Sequence, residues 1–196
     1  MLLEKLKKYQ VILGSASPRR KQLLAEIGVE FTIKITQKKE CYPESLKGVE
    51  IAKFLAKQKA NIISEGLEVS GNYLLITADT IVIHNNNLLH KPKDKDDAIR
   101  ILQILSGSTH KVISGVCIKS VEKEVTLSSV TEVTFTPLLK NEILYYINNF
   151  NPFDKAGSYG IQDWIGYIGI EKINGSYNNV VGLPTNELYQ KLKLFI

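Results

Sequence analysis

The chain contains few cysteines and no long apolar run, and these features exclude several classes of protein. Its two cysteines, Cys41 and Cys117, lie far apart and outside any CxxC pair, which excludes a disulfide framework. No stretch approaches the roughly 20 apolar residues that a membrane span needs. The first residues also lack the apolar segment of a signal peptide. We therefore expect a cytoplasmic protein with reduced cysteines and no membrane partner.

Several well-known enzyme signatures are missing too. The chain has no GxxxxGK[ST] loop, no GxGxxG, no GxSxG and no HExxH, which excludes the usual sequence forms of P-loop, Rossmann, α/β-hydrolase and zincin sites. Positive charge is present instead, because 25 Lys and Arg outnumber 20 Asp and Glu for a net charge of +5. That balance favours anionic partners. The lysines are scattered, so small phosphorylated ligands are a better match than nucleic acid.

Apolar periodicity and cap residues predict alternating strands and helices. Some predicted strands follow one another directly, whereas others are joined through helices. The sequence therefore predicts an α/β fold with a mixed, twisted sheet and flanking helices, formed as one domain of one or two lobes over residues 1–196. The predicted strands are 11–13, 31–35, 73–83, 110–119, 121–135 and 165–173, and the predicted helices are 18–27, 49–63, 94–104, 141–150 and 185–194.

The segment from Gly14 to Arg20 has the composition of an anion site. It lies between a predicted strand and a predicted helix, with Ser15 among small residues, Ser17 as N-cap and Arg19 and Arg20 in the first turn. A helix N-terminus attracts anions, and guanidinium groups bind phosphate oxygens in pairs. The segment therefore predicts a phosphate site, with an ordinary strand-to-helix turn as the alternative.

Three further charged residues stand out in the sequence. Two of them lie among apolar residues, and the third precedes a proline. Asp79 interrupts an apolar strand and indicates a metal ligand or a base, the alternative being a turn-capping carboxylate. Lys59 shares the apolar stripe of its helix and would either reach a bound phosphate or extend its ammonium to solvent. Lys91 precedes Pro92, which would hold it in one place.

A glycine-rich segment follows the helix predicted at 141–150. Gly157 and Gly160 permit close approach of a ligand to the backbone. Gln162 carries both a donor and an acceptor, as reading the edge of a base requires. An ordinary glycine loop is the alternative.

Taken together, these segments resemble the Maf family of nucleoside triphosphate pyrophosphatases. The resemblance runs through nearly the whole chain, in six ordered motifs. They are Ser15-Ala16-Ser17-Pro18-Arg19-Arg20, Ala78-Asp79-Thr80-Ile81-Val82, Lys91-Pro92, Leu105-Ser106-Gly107 with His110, Asp154-Lys155-Ala156-Gly157, and Gly175-Ser176-Tyr177 with Val181-Gly182-Leu183-Pro184.

The resemblance implies a fold like that of inosine triphosphatases, with two lobes around a central cleft. It implies hydrolysis between the α- and β-phosphates of dTTP and UTP, a divalent cation (Mg²⁺ or Mn²⁺) and a homodimer. By resemblance, Asp79 is the proton acceptor and a metal ligand, and Glu40 is the second metal ligand. The remaining implied roles are substrate contacts. The phosphates are held by Arg19, Arg20, Lys59 and Lys91, with Lys155 as a lesser member, the base is chosen by Arg19, Thr80 and Gln162, and Ser15 is a further substrate-binding residue.

The chain departs from the family's pattern after Gln162, where Asp163-Trp164 stand in place of a common glycine. That departure bears on base choice. Two alternative functions stay open at this point. One is a nucleotide- or nucleic-acid-binding regulator of septum formation without turnover, and the other is the same hydrolysis acting on 7-methyl-GTP or modified pyrimidine triphosphates.

Overall fold

A computed structural model describes residues 1–38, 41–67 and 72–196 of the chain. Its seven strands are β1 Gln10–Leu13, β2 Thr32–Ile33, β3 Tyr73–His84, β4 Asn87–Leu89, β5 Thr109–Lys119, β6 Glu124–Phe135 and β7 Ile170–Asn174. Within the described residues, the α-helices are α1 Leu2–Leu6, α2 Pro18–Glu26, α3 Val49–Glu65, α4 Lys95–Leu105, α5 Lys140–Phe150, α6 Trp164–Gly169, α7 Tyr177–Val181 and α8 Thr185–Phe195. Two short 3₁₀ turns cover Pro152–Asp154 and Ala156–Ser158.

The strands form one mixed sheet in the order β2-β1-β3-β5-β6-β7, with β4 paired to β3. Parallel pairing joins β1 to β2 and β3, and antiparallel pairing joins β4 to β3 and β7 to β6. Only residues 120–123 connect β5 to its neighbour β6. A connection that short permits antiparallel strands and excludes a parallel crossover. The predicted mixed α/β sheet with flanking helices is therefore confirmed.

The chain divides into two compact units, and the division falls within β3, β5 and β6. Unit 1 consists of residues 1–79, 114–129 and 182–196. In its core, α3 packs on the sheet through Ala56, Ala60 and Ile63, which meet Ile12 and Leu75. Burial of these apolar side chains away from water is what holds the helix against the strands.

Unit 2 consists of residues 80–113 and 130–181. Its core contains several aromatic rings, including Phe135, Tyr146 and Tyr159, which are almost fully buried. Helix α4 contributes Ile101, Leu102 and Leu105 to it. The predicted N-cap of α4 is confirmed, because the Asp94 side chain accepts from the backbone N–H of Asp97 at 2.8 Å.

Two of the predicted strands need correction. Residues 31–35 were expected to alternate between buried and exposed, but only Thr32–Ile33 pair, and both are exposed at the sheet edge. Residues 165–173 were expected to be one strand, but they form α6 followed by β7. Ile165 and Gly169 are buried while Tyr167 and Ile168 are exposed, and a buried pair four residues apart is the period of a helix.

The prediction that no segment crosses a membrane agrees with the helices of the structure. Within the described ranges, none of them has both the length and the apolar character that a span would need.

Candidate active site

In unit 1, two parallel strands bring the first predicted motif beside the second. Leu13 of β1 is in register with Ile76 of β3, and the N–H of Gly14 donates to the carbonyl of Ile76 at 2.8 Å. A Cβ at Gly14 would lie 2.5 Å from the methyl group of Thr77, so the close approach requires glycine. β1 ends there, and the carboxyl ends of parallel strands are where ligands bind in such folds.

The turn after β1 leads into α2 as the sequence predicted. The Ser17 side chain accepts from the N–H of Arg20 at 3.4 Å, and Pro18 occupies the first helical position. The Arg20 guanidinium donates to the Ser15 hydroxyl at 3.3 Å through Nη1 and to the carbonyl of Gly182 at 2.9 Å through Nε. One side chain therefore joins the Ser15–Arg20 motif to the motif that contains Gly182.

Asp79 and Lys59 form a short ion pair in unit 1. Nζ of Lys59 lies 2.6 Å from Oδ1 of Asp79 and 3.3 Å from the carbonyl oxygen of Ala78. The two side chains are only 12% and 15% exposed, respectively. Lys59 therefore does not extend to solvent, and its charge compensates a carboxylate that would otherwise be costly to bury.

Close backbone packing fixes the position of α3, and with it that of Lys59. The Thr77 hydroxyl donates to the carbonyl of Ala56 at 2.6 Å, and both groups are buried. A Cβ at Gly115 of β5 would overlap the carbonyl of Ala52, so the helix lies directly on the strand there. Because helix and strands are rigid elements, the Lys59–Asp79 contact is preorganised.

The donor set for a divalent cation is present only in part within the described ranges. They contain no cluster of three or more His, Cys, Asp or Glu side chains able to hold an ion. Oδ2 of Asp79 accepts no hydrogen bond from any described residue. Glu40, the second predicted ligand, lies outside the described residues. One carboxylate oxygen is a hard ligand of the kind that Mg²⁺ and Mn²⁺ take, with phosphate oxygens and water completing such shells.

In unit 2, Gln162 and Lys155 are joined through Asp163. Nε2 of Gln162 donates to Oδ1 of Asp163 at 3.2 Å, and Nζ of Lys155 lies 3.7 Å from Oδ2. The hydroxyl of the fully buried Tyr146 donates to the same Oδ2 at 2.7 Å. Lys155 also contacts the Asp154 carboxylate at 2.8 Å.

The other two predicted residues of unit 2 are Lys91 and Thr80. Lys91 is exposed and lines a cavity of about 350 Å³ between β4 and α4, together with His90, Lys93 and Arg100. Thr80 is half-buried on β3, directly after Asp79.

His110, which the sequence placed in a motif without a role, is buried in unit 2. Its Nε2 lies 2.7 Å from the Tyr159 hydroxyl, and its ring stacks on Phe135 with 5.7 Å between centroids. Burial, with a smaller contribution from His84, lowers the pKa of His110 to about 3. The ring is therefore neutral near pH 7.

Among the described residues, the structure thus joins Ser15 with Arg20, Lys59 with Asp79, and Lys155 with Gln162 by way of Asp163. Sequence reasoning missed the partnership of Tyr146 with Asp163. A tyrosine in the apolar stripe of a helix gives no sign of its hydroxyl's partner. Asp163 did carry a signal, as a carboxylate next to the predicted base-reading glutamine.

Comparison with known proteins defines the class. Residues 10–195 match the family described as Maf-like protein. A dTTP/UTP pyrophosphatase of Flavobacterium johnsoniae is 48% identical over 196 residues, covering 100% of both chains. One of Bacteroides fragilis is 46% identical over 193 residues, covering 98% of this chain and 99% of its own. The chain therefore belongs to the Maf-like protein family.

A solved structure of lower similarity is a nucleoside-triphosphatase, named as a dITP/XTP pyrophosphatase, of Mycobacterium abscessus. It covers 95% of both chains at 12% identity and a TM-score of 0.40, values too low to argue for a common fold. The inosine triphosphatase-like cleft therefore stays a prediction.

Proposed function

We propose that this protein hydrolyses dTTP and UTP to the nucleoside monophosphate and pyrophosphate. Its near-full-length similarity to two proteins named dTTP/UTP pyrophosphatase supports the substrate class. The observation that carries the chemistry is the Lys59–Asp79 pair, in which a lysine holds a largely buried carboxylate of β3 shortly after Ile76, the position at which β1 ends. The family match over residues 10–195 supports treating 1–196 as one functional domain.

Asp79 is the proposed base. Its carboxylate would orient a water molecule and accept its proton as the water oxygen bonds to phosphorus and the α–β anhydride bond breaks. Lys59 holds Oδ1 of Asp79, so the carboxylate keeps one orientation. Pyrophosphate leaves with the electron pair of the broken bond, and nearby cations stabilise the charge that develops on it.

Arginine and lysine side chains are the proposed phosphate contacts. Arg20 is anchored by Ser15 and the carbonyl of Gly182, which presents its guanidinium in a fixed orientation. Arg19 lies beside it in the first turn of α2. Fixed cations bind a triphosphate at a smaller entropic cost than mobile ones. Lys91 and Lys155 are proposed for the same role on the basis of the family resemblance.

Mg²⁺ or Mn²⁺ is the proposed cofactor. Oδ2 of Asp79 and the Glu40 carboxylate are the groups proposed to hold it. When bound, the cation would neutralise phosphate charge and polarise the phosphoryl group. Cytoplasmic location and a homodimer stay predictions.

A panel of substrates tests the proposal. Purified protein with Mg²⁺ is incubated separately with dTTP, UTP, CTP and 7-methyl-GTP, and released pyrophosphate is measured. We expect pyrophosphate from dTTP and UTP at the highest kcat/KM. A regulator that only binds nucleotides would release none, and a preference for 7-methyl-GTP would move the protein to another substrate class.

A further inference from the structure

The carboxylate of Asp163 has hydrogen-bond partners on both oxygens. Oδ2 accepts from Tyr146, and Oδ1 accepts from Nε2 of Gln162. The side chain is 17% exposed, and Lys155 lies near enough to compensate its charge. Asp163 is therefore held in place by groups other than the glutamine it contacts.

An ionised carboxylate only accepts hydrogen bonds, and this decides the orientation of the neighbouring amide. A glutamine amide has a donor end and an acceptor end. Turning the Gln162 amide by 180° would place Oε1 against Oδ1 of Asp163, exchanging a hydrogen bond for a contact between two acceptors. Because Nε2 of Gln162 donates to Asp163, Oε1 is the end of the amide that is left to contact a ligand. Oε1 is buried and has no hydrogen-bond partner among the described residues.

The surrounding contacts make the arrangement rigid. The Tyr146 hydroxyl accepts from the backbone N–H of Gly160 at 3.0 Å while it donates to Asp163. Burial, and then the hydrogen bond to Asp163, raise the pKa of Tyr146 above its ordinary value, so the hydroxyl keeps its proton. A Cβ at Gly160 would lie 2.5 Å from Oδ2 of Asp163 and 2.8 Å from Nε2 of Gln162. The missing side chain leaves room for the pair.

We propose that Asp163 is a positioning residue that fixes the Gln162 amide with its oxygen toward the base, so that the protein selects bases carrying a ring N–H. Uracil and thymine donate from the N–H at ring position 3, whereas cytosine has an unprotonated acceptor nitrogen there. Opposite Oε1, cytosine would place acceptor against acceptor. The inference rests on the proposed function in taking nucleotides as ligands and Gln162 as the base contact.

Substitution of Asp163 by a residue that both donates and accepts tests the inference. In Asp163→Asn, the amide oxygen would accept from Tyr146 and the NH₂ would face Gln162, which favours the turned Gln162 amide. In Asp163→Ser, the hydroxyl can donate or accept, so either end of the Gln162 amide finds a partner. Asn and Ser are as suitable as Asp at a helix N-cap, and residue 163 is the N-cap of α6. We expect the UTP-to-CTP ratio of kcat/KM to fall about tenfold, the value of one hydrogen bond of about 1.4 kcal/mol.

Asp154→Asn is the matched control. Asp154 also contacts Lys155, so its loss removes a similar charge next to the same lysine without releasing Gln162. We expect its UTP-to-CTP ratio to equal that of the wild type. A merely structural loss at residue 163 would lower both rates together and leave the ratio unchanged.

Binding of UMP, 3-methyl-UMP and CMP to the wild-type protein, measured by calorimetry, is the second readout. Methylation removes the N–H at position 3, and we expect it to weaken binding at least about tenfold relative to UMP. Equal binding of the three nucleotides overturns the inference, as does an unchanged UTP-to-CTP ratio in both variants. A wild-type protein that binds UMP selectively but releases no pyrophosphate contradicts the proposed function alone.

Discussion

Each of the two units places a lysine next to an aspartate, but the two pairs differ in geometry. In unit 1, Lys59 and Asp79 are in direct contact at 2.6 Å on a helix and a strand. In unit 2, Lys155 is 3.7 Å from Asp163, whose oxygens accept hydrogen bonds from Tyr146 and Gln162 instead. The first pair leaves one carboxylate oxygen for chemistry, whereas the second uses both oxygens to orient neighbours.

The largest expected effect is on kcat, which should fall far more when Asp79 is substituted than when Asp163 is. Asp79→Asn should lower kcat for UTP by about 10²- to 10⁴-fold, the range for loss of a general base, while UMP still binds. Asp163→Asn should lower kcat for UTP by less than about tenfold. Steady-state kinetics and calorimetry check both variants. Equal losses of kcat at the two positions would remove the distinction between them.

The next effect compares a buried lysine with an exposed one on the same helix. Lys59→Met leaves the Asp79 carboxylate without its partner and should lower the free energy of unfolding by about 3 kcal/mol. Lys57 contacts Glu124 at 2.8 Å but is 54% exposed, so Lys57→Met should cost less than about 1 kcal/mol. Urea unfolding measures both. Similar losses in the two variants would show that burial does not distinguish the pairs.

Gln162→Glu sharpens the comparison within unit 2. The change replaces the amide that donates to Asp163 with a second carboxylate. Because the two carboxylates repel each other, the side chain at position 162 should turn away, and kcat/KM for UTP should fall about tenfold or more. Its melting temperature should change little. Gln103→Glu makes the same substitution at an exposed position of α4 and should leave the relative rates across bases unchanged. Unchanged relative rates in Gln162→Glu would remove Gln162 from base recognition.

The last expected effect, which is small near neutral pH and grows as the solution is acidified, concerns the buried His110 of unit 2. Its pKa is about 3 in the folded protein, against about 6.5 for an unfolded histidine. Below pH 6.5 the unfolded chain binds the extra proton, so stability should fall as pH falls, by about 1.4 kcal/mol per unit down to pH 3 from this group. Urea unfolding of His110→Gln should show a shallower slope.

Tyr159→Phe is the control for that slope. It removes the hydrogen bond at Nε2 but keeps the buried ring, so the pH dependence should persist. A slope in His110→Gln as steep as in the wild type would mean that the histidine is protonated within the fold.

Much of the fold could be predicted because its elements carry strong local patterns. The apolar run of β3 and the Asp94 cap of α4 were identified from the sequence and are confirmed. Residues 165–173 were misassigned because a short apolar run does not distinguish a strand from a buried helix. There, Gly166 packs against the carbonyl of Ile161, where any Cβ would overlap, and no local pattern reveals such a contact.

The candidate site was predicted in its residue types and only partly in its contacts. A carboxylate inside an apolar strand must have a partner, so Asp79 could be singled out from sequence. That its partner is Lys59, 20 residues away, depends on how α3 packs on the sheet. The Tyr146–Asp163 contact was missed for the same reason, since it depends on the packing of α5 against the loop before α6.

Phosphorus NMR of the reaction products tests the central claim most directly. Wild-type protein and Asp79→Asn are each incubated with UTP and Mg²⁺, and the spectra are followed in time. The account predicts signals of UMP and pyrophosphate with the wild type, and almost none with the variant. Formation of UDP and phosphate, or equal pyrophosphate release by the two proteins, would contradict it.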